Sequence, residues 1–282
     1  MKSTLLIALF ALLPLFTLNA NEYKPFSISG TQVVPIQDSK NKRQYELYIK
    51  LPKSYTEDTA KRYPVIYFTD ALWHMELLSG ATYFLLEDII LVGISWQTDI
   101  AEQVKAQEGV HFSRYRDYSI KPSKDVAKQA KYQLGQASEH LAFIKNDVFS
   151  YVEKTFRTKP QARSYFGFSL GGLFGTYALL TQPDMFKNYI LGSPSIWRFA
   201  PELFAQQSAN LKNKNLNINV FISYGEQEKE LSGHIDEFVT TLKSQRYPSI
   251  SKVEHVVIDA AGHSDSFPIM GAKSIKWLSS LN

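Results

Sequence analysis

An α/β fold is predicted for this chain: a mostly parallel central sheet, helices on both faces and antiparallel strands at the N-terminal end. Three observations lead there. Short continuous apolar runs, Val65-Ile66-Tyr67-Phe68 and residues 89–94 among them, suit central strands buried on both faces. Strand-like and helix-like segments then alternate along the chain, which is the order that parallel strands with crossover helices require. Near the start, Tyr45, Leu47, Ile49 and Leu51 alternate with polar residues, the mark of a half-exposed antiparallel strand.

The elements follow in order. Met1-Lys2 is a positive start, residues 5–18 are an almost unbroken apolar run, and Asn19-Ala20-Asn21 follows. This three-part form reads as a signal peptide over residues 1–20, cleaved after Ala20. The apolar run is short for a membrane span, so no stable membrane insertion is expected after cleavage. The expected product is exported, periplasmic or secreted, with residues 21–282 forming one catalytic α/β domain. Residues 28–36 and 45–51 read as two strands joined by a polar turn. The cluster Lys40-Asn41-Lys42-Arg43 in that turn reads as a solvated tip rather than a nucleic-acid patch. Residues 98–136 are polar with few periodic apolar positions. A loop of that length is expected to be either functional or disordered, and to lie as a cover over the strand ends. Residues 138–156 are amphipathic, with Leu141, Ile144, Val148, Tyr151 and Val152 on one helical face. Strands are expected at 164–168, 189–191, 218–224 and 253–258, and helices at 170–180, 235–242 and 272–281.

Composition sets further bounds. Of 282 residues, 44% are hydrophobic and 21% charged, an ordinary globular balance. The 18 Phe, 16 Tyr and 4 Trp fill a large core easily. The net charge of +4 comes from dispersed basic residues, so no nucleic-acid partner is expected. The chain has no cysteine, which excludes thiol nucleophiles, cysteine zinc sites and a lipoprotein anchor.

The chemistry centres on Gly167-Phe168-Ser169-Leu170-Gly171, set between an apolar strand and a helix. That is a nucleophile elbow: a turn tight enough to need small residues two before and two after the serine. A serine hydroxyl needs a base to take its proton, and after an elbow the partners follow as acid, then histidine. Among the six histidines, His263 lies past the last expected strand, in the turn Ala260-Ala261-Gly262-His263-Ser264, and is the expected base. His255, inside a strand pattern, and His234, inside a helix, read as structural. The acid belongs after the strand ending at Tyr224, in Gly225-Glu226-Gln227-Glu228-Lys229-Glu230. Glu228 is the first choice and Glu226 the second; Asp259 and Asp265 also lie near His263 in sequence. Two backbone N–H groups must stabilise the oxyanion. Leu170 supplies one, and Leu72, or else Ala71, supplies the other from the loop after residues 65–68.

Taken together, these residues resemble the putative esterase family of α/β-hydrolases, which includes esterase D, feruloyl esterases, mycolyltransferases and siderophore esterases. The resemblance is carried by residues 63–70, Val92-Gly93-Ile94, Arg114-Tyr115-Arg116-Asp117-Tyr118, residues 143–148, residues 167–174 and Ser193-Pro194-Ser195-Ile196-Trp197. It is strongest toward the siderophore-esterase branch. It implies the α/β-hydrolase fold and an exported serine hydrolase that cleaves small carboxylic esters through an acyl-enzyme, without metal or cofactor. An acyltransferase using the same triad, a peptidase, and a non-catalytic binding protein of the same fold are the alternatives. A siderophore-type substrate is flat and anionic, so Arg114, Arg116 and Arg198 are candidates for charge at the mouth, and Trp73 and Trp197 for its walls. Against this, Arg116 next to Asp117 also suits a structural ion pair, and both tryptophans suit core packing. The chain departs from the family at Ala71, where Gly is common, at Ser119-Ile120, where Thr-Pro is common, and at Arg198, where a second aromatic is frequent.

Export is directly testable. Protein recovered from outside the cytoplasm is expected to begin at Asn21 on N-terminal sequencing; a soluble exported chain beginning at Met1 contradicts cleavage after Ala20.

Overall fold

The computed structural model describes residues 26–198, Leu203, Leu211, 216–244 and 247–281. The expected signal peptide lies outside the described residues. The element order is β1 (Thr31–Gln37), β2 (Gln44–Lys50), α1 (Ser54–Glu57), β3 (Tyr63–Phe68), α2 (Ala71–Leu85) and β4 (Ile90–Ile94). Three short helices follow, α3 (Glu102–Glu108), α4 (Ser113–Tyr118) and α5 (Val126–Tyr132). Next come α6 (Ala137–Phe143), a π-helical turn (Ile144–Val148), α7 (Phe149–Thr155), β5 (Thr158–Phe168) and α8 (Leu170–Thr181). The chain continues through β6 (Asn188–Gly192), β7 (Ile218–Gly225), α9 (Lys229–Ser244), β8 (Ile250–Ile258) and α10 (His263–Ser279).

These strands form one eight-stranded sheet in the order β1-β2-β4-β3-β5-β6-β7-β8. The first two pairings, β1 with β2 and β2 with β4, are antiparallel, and all the others are parallel. The sequence patterns account for this placement. Every residue of β4 and β6 is buried, because continuous apolar runs can be covered on both faces. In β2 burial alternates, with Tyr45, Leu47 and Ile49 inward, as the alternation requires. One face of the sheet is packed by residues of α6, α7, α8 and α9, the other by α2 and α10. Because β3, β5, β6, β7 and β8 run parallel, the loops that follow them gather at one edge of the sheet, where α/β proteins bind ligands.

Residues 98–136, which lack helical periodicity, nevertheless carry α3, α4 and α5. Their hold on the body of the protein is long-range. Tyr118 of α4 packs on Phe174 of α8 with ring centroids 5.6 Å apart, and Ser113 Oγ accepts the Gln97 N–H at 2.9 Å. The final helix also differs from expectation. It begins at His263 rather than 272 and carries Pro268 inside it, the residue that hides the first turns of the helix from a pattern reading.

Phe174 is fully buried and meets the rings of Tyr118, His140 and Tyr165. Phe174→Ala is therefore expected to cost about 3–5 kcal/mol, read as a lower urea midpoint at unchanged slope. A shift within a few tenths of a kcal/mol would show that the contact between α4 and α8 carries no packing energy.

Candidate active site

Ser169 stands between β5 and α8 with φ 58° and ψ −117°, a backbone conformation that costs a non-glycine residue of order 1–3 kcal/mol. Its neighbours are held close. A Cβ on Gly167 would run into the Gly171 carbonyl, and one on Gly171 would lie 2.5 Å from Thr69 Oγ1. The serine backbone is tied into the sheet edge: its N–H donates to Gly192 O (2.9 Å) and its carbonyl accepts from Ser195 N (3.2 Å). Leu170 is the first residue of α8, so its N–H has no carbonyl one turn back to bond.

The second helix start at this edge belongs to α2. Asp70 precedes it in the left-handed conformation, φ 56° and ψ 46°. Its carbonyl accepts the N–H groups of Trp73 (2.9 Å) and His74 (3.2 Å). The first two N–H groups of the helix, on Ala71 and Leu72, lack intrahelical partners. Two helix N-termini therefore lie side by side, both favourable to negative charge. Tyr165 Oη joins them. It donates to Gly171 O at 2.7 Å and lies 3.2 Å from Thr69 Oγ1.

His263 opens α10, with its ring 4.9 Å from that of Phe168. Its Nδ1 is 2.5 Å from Glu228 Oε1. The other oxygen of Glu228 accepts from Ser193 Oγ (2.7 Å) and Gly225 N (2.6 Å). Burial raises the pKa of this carboxyl, but the hydrogen bonds from His263, Ser193 and Gly225 outweigh it and hold the value below the ordinary carboxylate range. Glu226 points elsewhere: its Oε2 accepts the Ala260 N–H at 3.0 Å. Gln227 N also donates to Ala261 O at 2.9 Å, so the turn after β7 grips the loop that carries His263. Asp265 accepts from Gly262 N (3.2 Å) within the first turn of α10. Among the described residues, neither Ser169 Oγ nor His263 Nε2 has a hydrogen-bond partner.

The structure thus brings Ser169, His263, Glu228, Leu72 and Leu170 to one edge of the sheet. It does not bring the two arginines of α4 there as free charges. Arg114 is buried and pairs bidentately with Asp70, Nε to Oδ1 and Nη2 to Oδ2, both at 3.0 Å. Arg116 is buried too and donates to Asp117 Oδ1 (2.8 Å), Gln97 Oε1 (2.8 Å) and Tyr45 Oη (3.3 Å). Both guanidinium groups are taken up by carboxylates inside the protein rather than offered to solvent. Trp73 is 49% exposed and packs edge-on against Trp96 at 4.7 Å, with His111 at 5.3 Å. Trp197 is 40% exposed, in the single turn Ile196–Arg198 after β6. The side chain of Arg198 lies outside what is described. The sequence reading left Ser193, Tyr165 and Trp96 without roles. Ser193 was findable, since it directly follows a strand of the same parallel edge; the hydroxyl of Tyr165 was not, because it sits in an apolar strand run. Among the described residues no group of acidic or histidine side chains could hold a metal.

Comparison with known proteins places this architecture. The family model described as "Putative esterase" matches residues 39–268. The ferri-bacillibactin esterase BesA of Bacillus subtilis is 25% identical over 279 residues, spanning 92% of this chain and 93% of the relative. Among solved structures, the BES protein from Bacillus cereus superposes with a TM-score of 0.78 at 23% identity, covering 91% of this chain and 98% of that one. An IroE-like serine hydrolase from Shewanella oneidensis gives 0.74 at 19% identity, covering 89% and 80%. At those identities the structural likenesses establish the fold, that of the α/β-hydrolases.

The Glu228 environment fixes a pH dependence of stability. A carboxyl whose folded pKa lies below its ordinary 4.5 stabilises the fold fully above that value and loses the contribution as pH falls through the folded pKa. The parent is therefore expected to exceed Glu228→Gln in thermal stability at neutral pH, with the gap closing progressively below about pH 4.5. A gap that stayed constant across acid pH would show that the carboxylate is not held ionised by these bonds.

Proposed function

The chain belongs to the putative esterase family and is a carboxylic ester hydrolase, and on that premise we propose that it is an exported serine esterase working through an acyl-enzyme on Ser169. The observation that carries this reading is the 2.5 Å contact of His263 Nδ1 with a buried Glu228, at the sheet edge where a serine is held at positive φ between two helix N-termini. In the proposed sequence Ser169 Oγ attacks the ester carbonyl while His263 Nε2 accepts its proton. Glu228 holds the imidazole by Nδ1–H and stabilises the imidazolium as it forms. The carbonyl oxygen becomes an oxyanion facing the N–H groups of Leu72 and Leu170. As the intermediate collapses, the alcohol leaves with the proton from His263, and the acyl group remains on Ser169. Water then repeats the attack through the same base, releasing the acid. The chemistry asks for no metal or cofactor. Residues 21–282 act as one catalytic domain in this reading, with residues 98–136 as its cover.

For the substrate we propose a siderophore-type ester. BesA is named for esterase action on ferri-bacillibactin, and a curated relative in Aspergillus fumigatus, 28% identical over 139 residues, is a siderophore triacetylfusarinine C esterase. The features of this chain that suit a flat aromatic group are the exposed faces of Trp73 and Trp197 beside the reacting serine's edge of the sheet. Export rests on the N-terminal pattern; among the described residues no helix is long and apolar enough to cross a membrane.

Ser169→Ala is expected to lower ester turnover by on the order of 10³-fold or more with the fold intact, since the members of such a unit fail together. Glu228→Ala is expected to lower turnover strongly and Glu226→Ala only mildly. A panel of p-nitrophenyl esters, feruloyl esters and a catecholate trilactone completes the test, with the trilactone expected to give the highest kcat/KM. Near-parent turnover by folded Ser169→Ala would overturn the mechanism, and indifference to the trilactone would overturn the substrate assignment alone.

A further inference from the structure

We propose that Arg114 is a positioning residue for the oxyanion loop: through its buried pair with Asp70 it fixes the N–H groups of Ala71 and Leu72 and fastens them to the 98–136 segment. The proposal rests on the esterase reading above, with Ser169 as nucleophile.

Asp70 occupies the last position before α2, fully buried, in the left-handed region at φ 56° without being glycine. Its two dihedrals set the direction in which the first N–H groups of α2 point. Something must hold an L-residue there, and the side-chain hydrogen bonds that do so all converge on its carboxylate. Arg114 Nε and Nη2 each donate at 3.0 Å, one to each oxygen. Trp96 Nε1 donates to Oδ1 at 2.6 Å. A fork meeting both carboxylate oxygens fixes rotation as well as position, which a single ammonium cannot do. The carboxylate and its two partners come from three places: Asp70 from just past β3, Trp96 from the residues after β4, and Arg114 from α4.

The other half of the proposed oxyanion hole lies close to the same carboxylate. A Cβ added to Gly171, one residue after Leu170, would lie 3.3 Å from Asp70 Oδ2 and 2.5 Å from Thr69 Oγ1. A shift of Asp70 therefore changes the packing of both helix starts. Arg114 itself is buried. Its guanidinium lies over Trp73 at 5.0 Å and over Tyr118 at 5.7 Å, so it acts through Asp70 and belongs with the positioning groups. Its place on α4 also means that the 98–136 segment must be seated for the loop to be held.

Purified full chain and p-nitrophenyl butyrate provide the test, with an alkyl boronic acid as a probe for the tetrahedral state, whose oxygen sits where the oxyanion forms. The variants are Arg114→Met, Arg114→Lys, the double change Asp70→Asn with Arg114→Met, and Trp96→Phe, beside Ser169→Ala. Displacing a reacting contact by about 1 Å is worth on the order of 10²-fold. Arg114→Met and the double variant are therefore expected to lose about that factor in kcat and in boronate affinity, with KM little changed. Arg114→Lys keeps the charge but not the fork, and is expected to recover only a minor part. Removing one member alone strands a buried charge and lowers stability, whereas the double change removes both charges. The double variant should therefore melt near the parent and still be slow. Trp96→Phe, which deletes one N–H and keeps the bulk, is expected to show a smaller loss in the same two quantities. A folded double variant with parent-like kcat and boronate affinity would overturn the proposal. So would losses that follow KM or melting temperature instead, or unfolding of both the double variant and Trp96→Phe. Turnover retained by Ser169→Ala would overturn the esterase mechanism itself, whereas an inactive Ser169→Ala beside fast Arg114 variants removes only the positioning role.

Discussion

Tyr165 sits three residues before the end of β5, beside Tyr67 of β3, and its hydroxyl is buried between the starts of two helices. It donates to the Gly171 carbonyl at 2.7 Å and touches Thr69 Oγ1 at 3.2 Å. Much of the site depends on this contact. The sheet order places β3 beside β5, and the tyrosine holds the loops that leave them at a fixed separation. With the loops this close, residue 171 has no room for a side chain, and the serine between Gly167 and Gly171 is driven to positive φ. Backbone hydrogen bonds then run sideways from the serine. Ser169 N reaches Gly192 O at 2.9 Å, and Ser193 N reaches Ser223 O at 2.7 Å. From there Ser193 Oγ and Gly225 N lead directly to Glu228. The serine and the acid stand 59 residues apart in sequence yet are joined through the ends of three adjacent parallel strands.

Two buried carboxylates flank this edge, and their partners differ in a way that suits the proposed chemistry. Burial raises the pKa of Asp70, but Arg114, by charge and by hydrogen bonds, pulls it below the ordinary range, so the pair as a whole is neutral. An unneutralised carboxylate beside the α2 N-terminus would repel an oxyanion forming there. His74, one turn into α2, is held by burial near a pKa of about 4 and adds no charge of its own near neutral pH. Among the described residues Glu228 has no permanent cation as partner. It is held by a hydroxyl, a backbone N–H and the imidazole, so its charge remains available to an imidazolium. Neutrality at one site and available charge at the other suit the proposed reaction, in which negative charge would grow near Leu72 and positive charge on His263.

What was legible in the sequence follows from how local each constraint is. The elbow is encoded within five consecutive residues, because the tight turn acts on immediate neighbours, so Ser169 and Leu170 could be placed from the sequence alone. The strands were readable from apolar runs, and β7 and β8 differ from expectation mainly at their ends. The turn after β7 offered several carboxylates, and only the fold separates them: Glu228 meets His263 while Glu226 meets the Ala260 amide. The helices of residues 98–136 were hidden because they are short and are held by distant partners such as Asp70, Phe174 and Gln97. For the same reason Arg114 looked like charge at the mouth, whereas Arg116, beside Asp117, already suited the ion pair that it makes. A guanidinium's partner 44 residues away leaves no mark on the local pattern.

The occupation of both arginines narrows how an anionic aromatic ester could be recognised. A cation spent on a buried carboxylate offers little attraction to a ligand outside, since the pair's fields largely cancel. Among the described residues proposed for the mouth, those left exposed are the aromatic ones, Trp73 and Trp197. Trp73 is half exposed, braced by Trp96 and by the Arg114 guanidinium beneath it. A ring stacked on Trp73 would rest on the residue that immediately follows Leu72, one of the proposed oxyanion donors. Binding of the aromatic group and alignment of the N–H would then share a short rigid segment whose base is the Asp70–Arg114 pair. In such an arrangement contacts made far from the scissile bond can improve the geometry at the reacting carbonyl, which is how remote binding energy reaches the transition state.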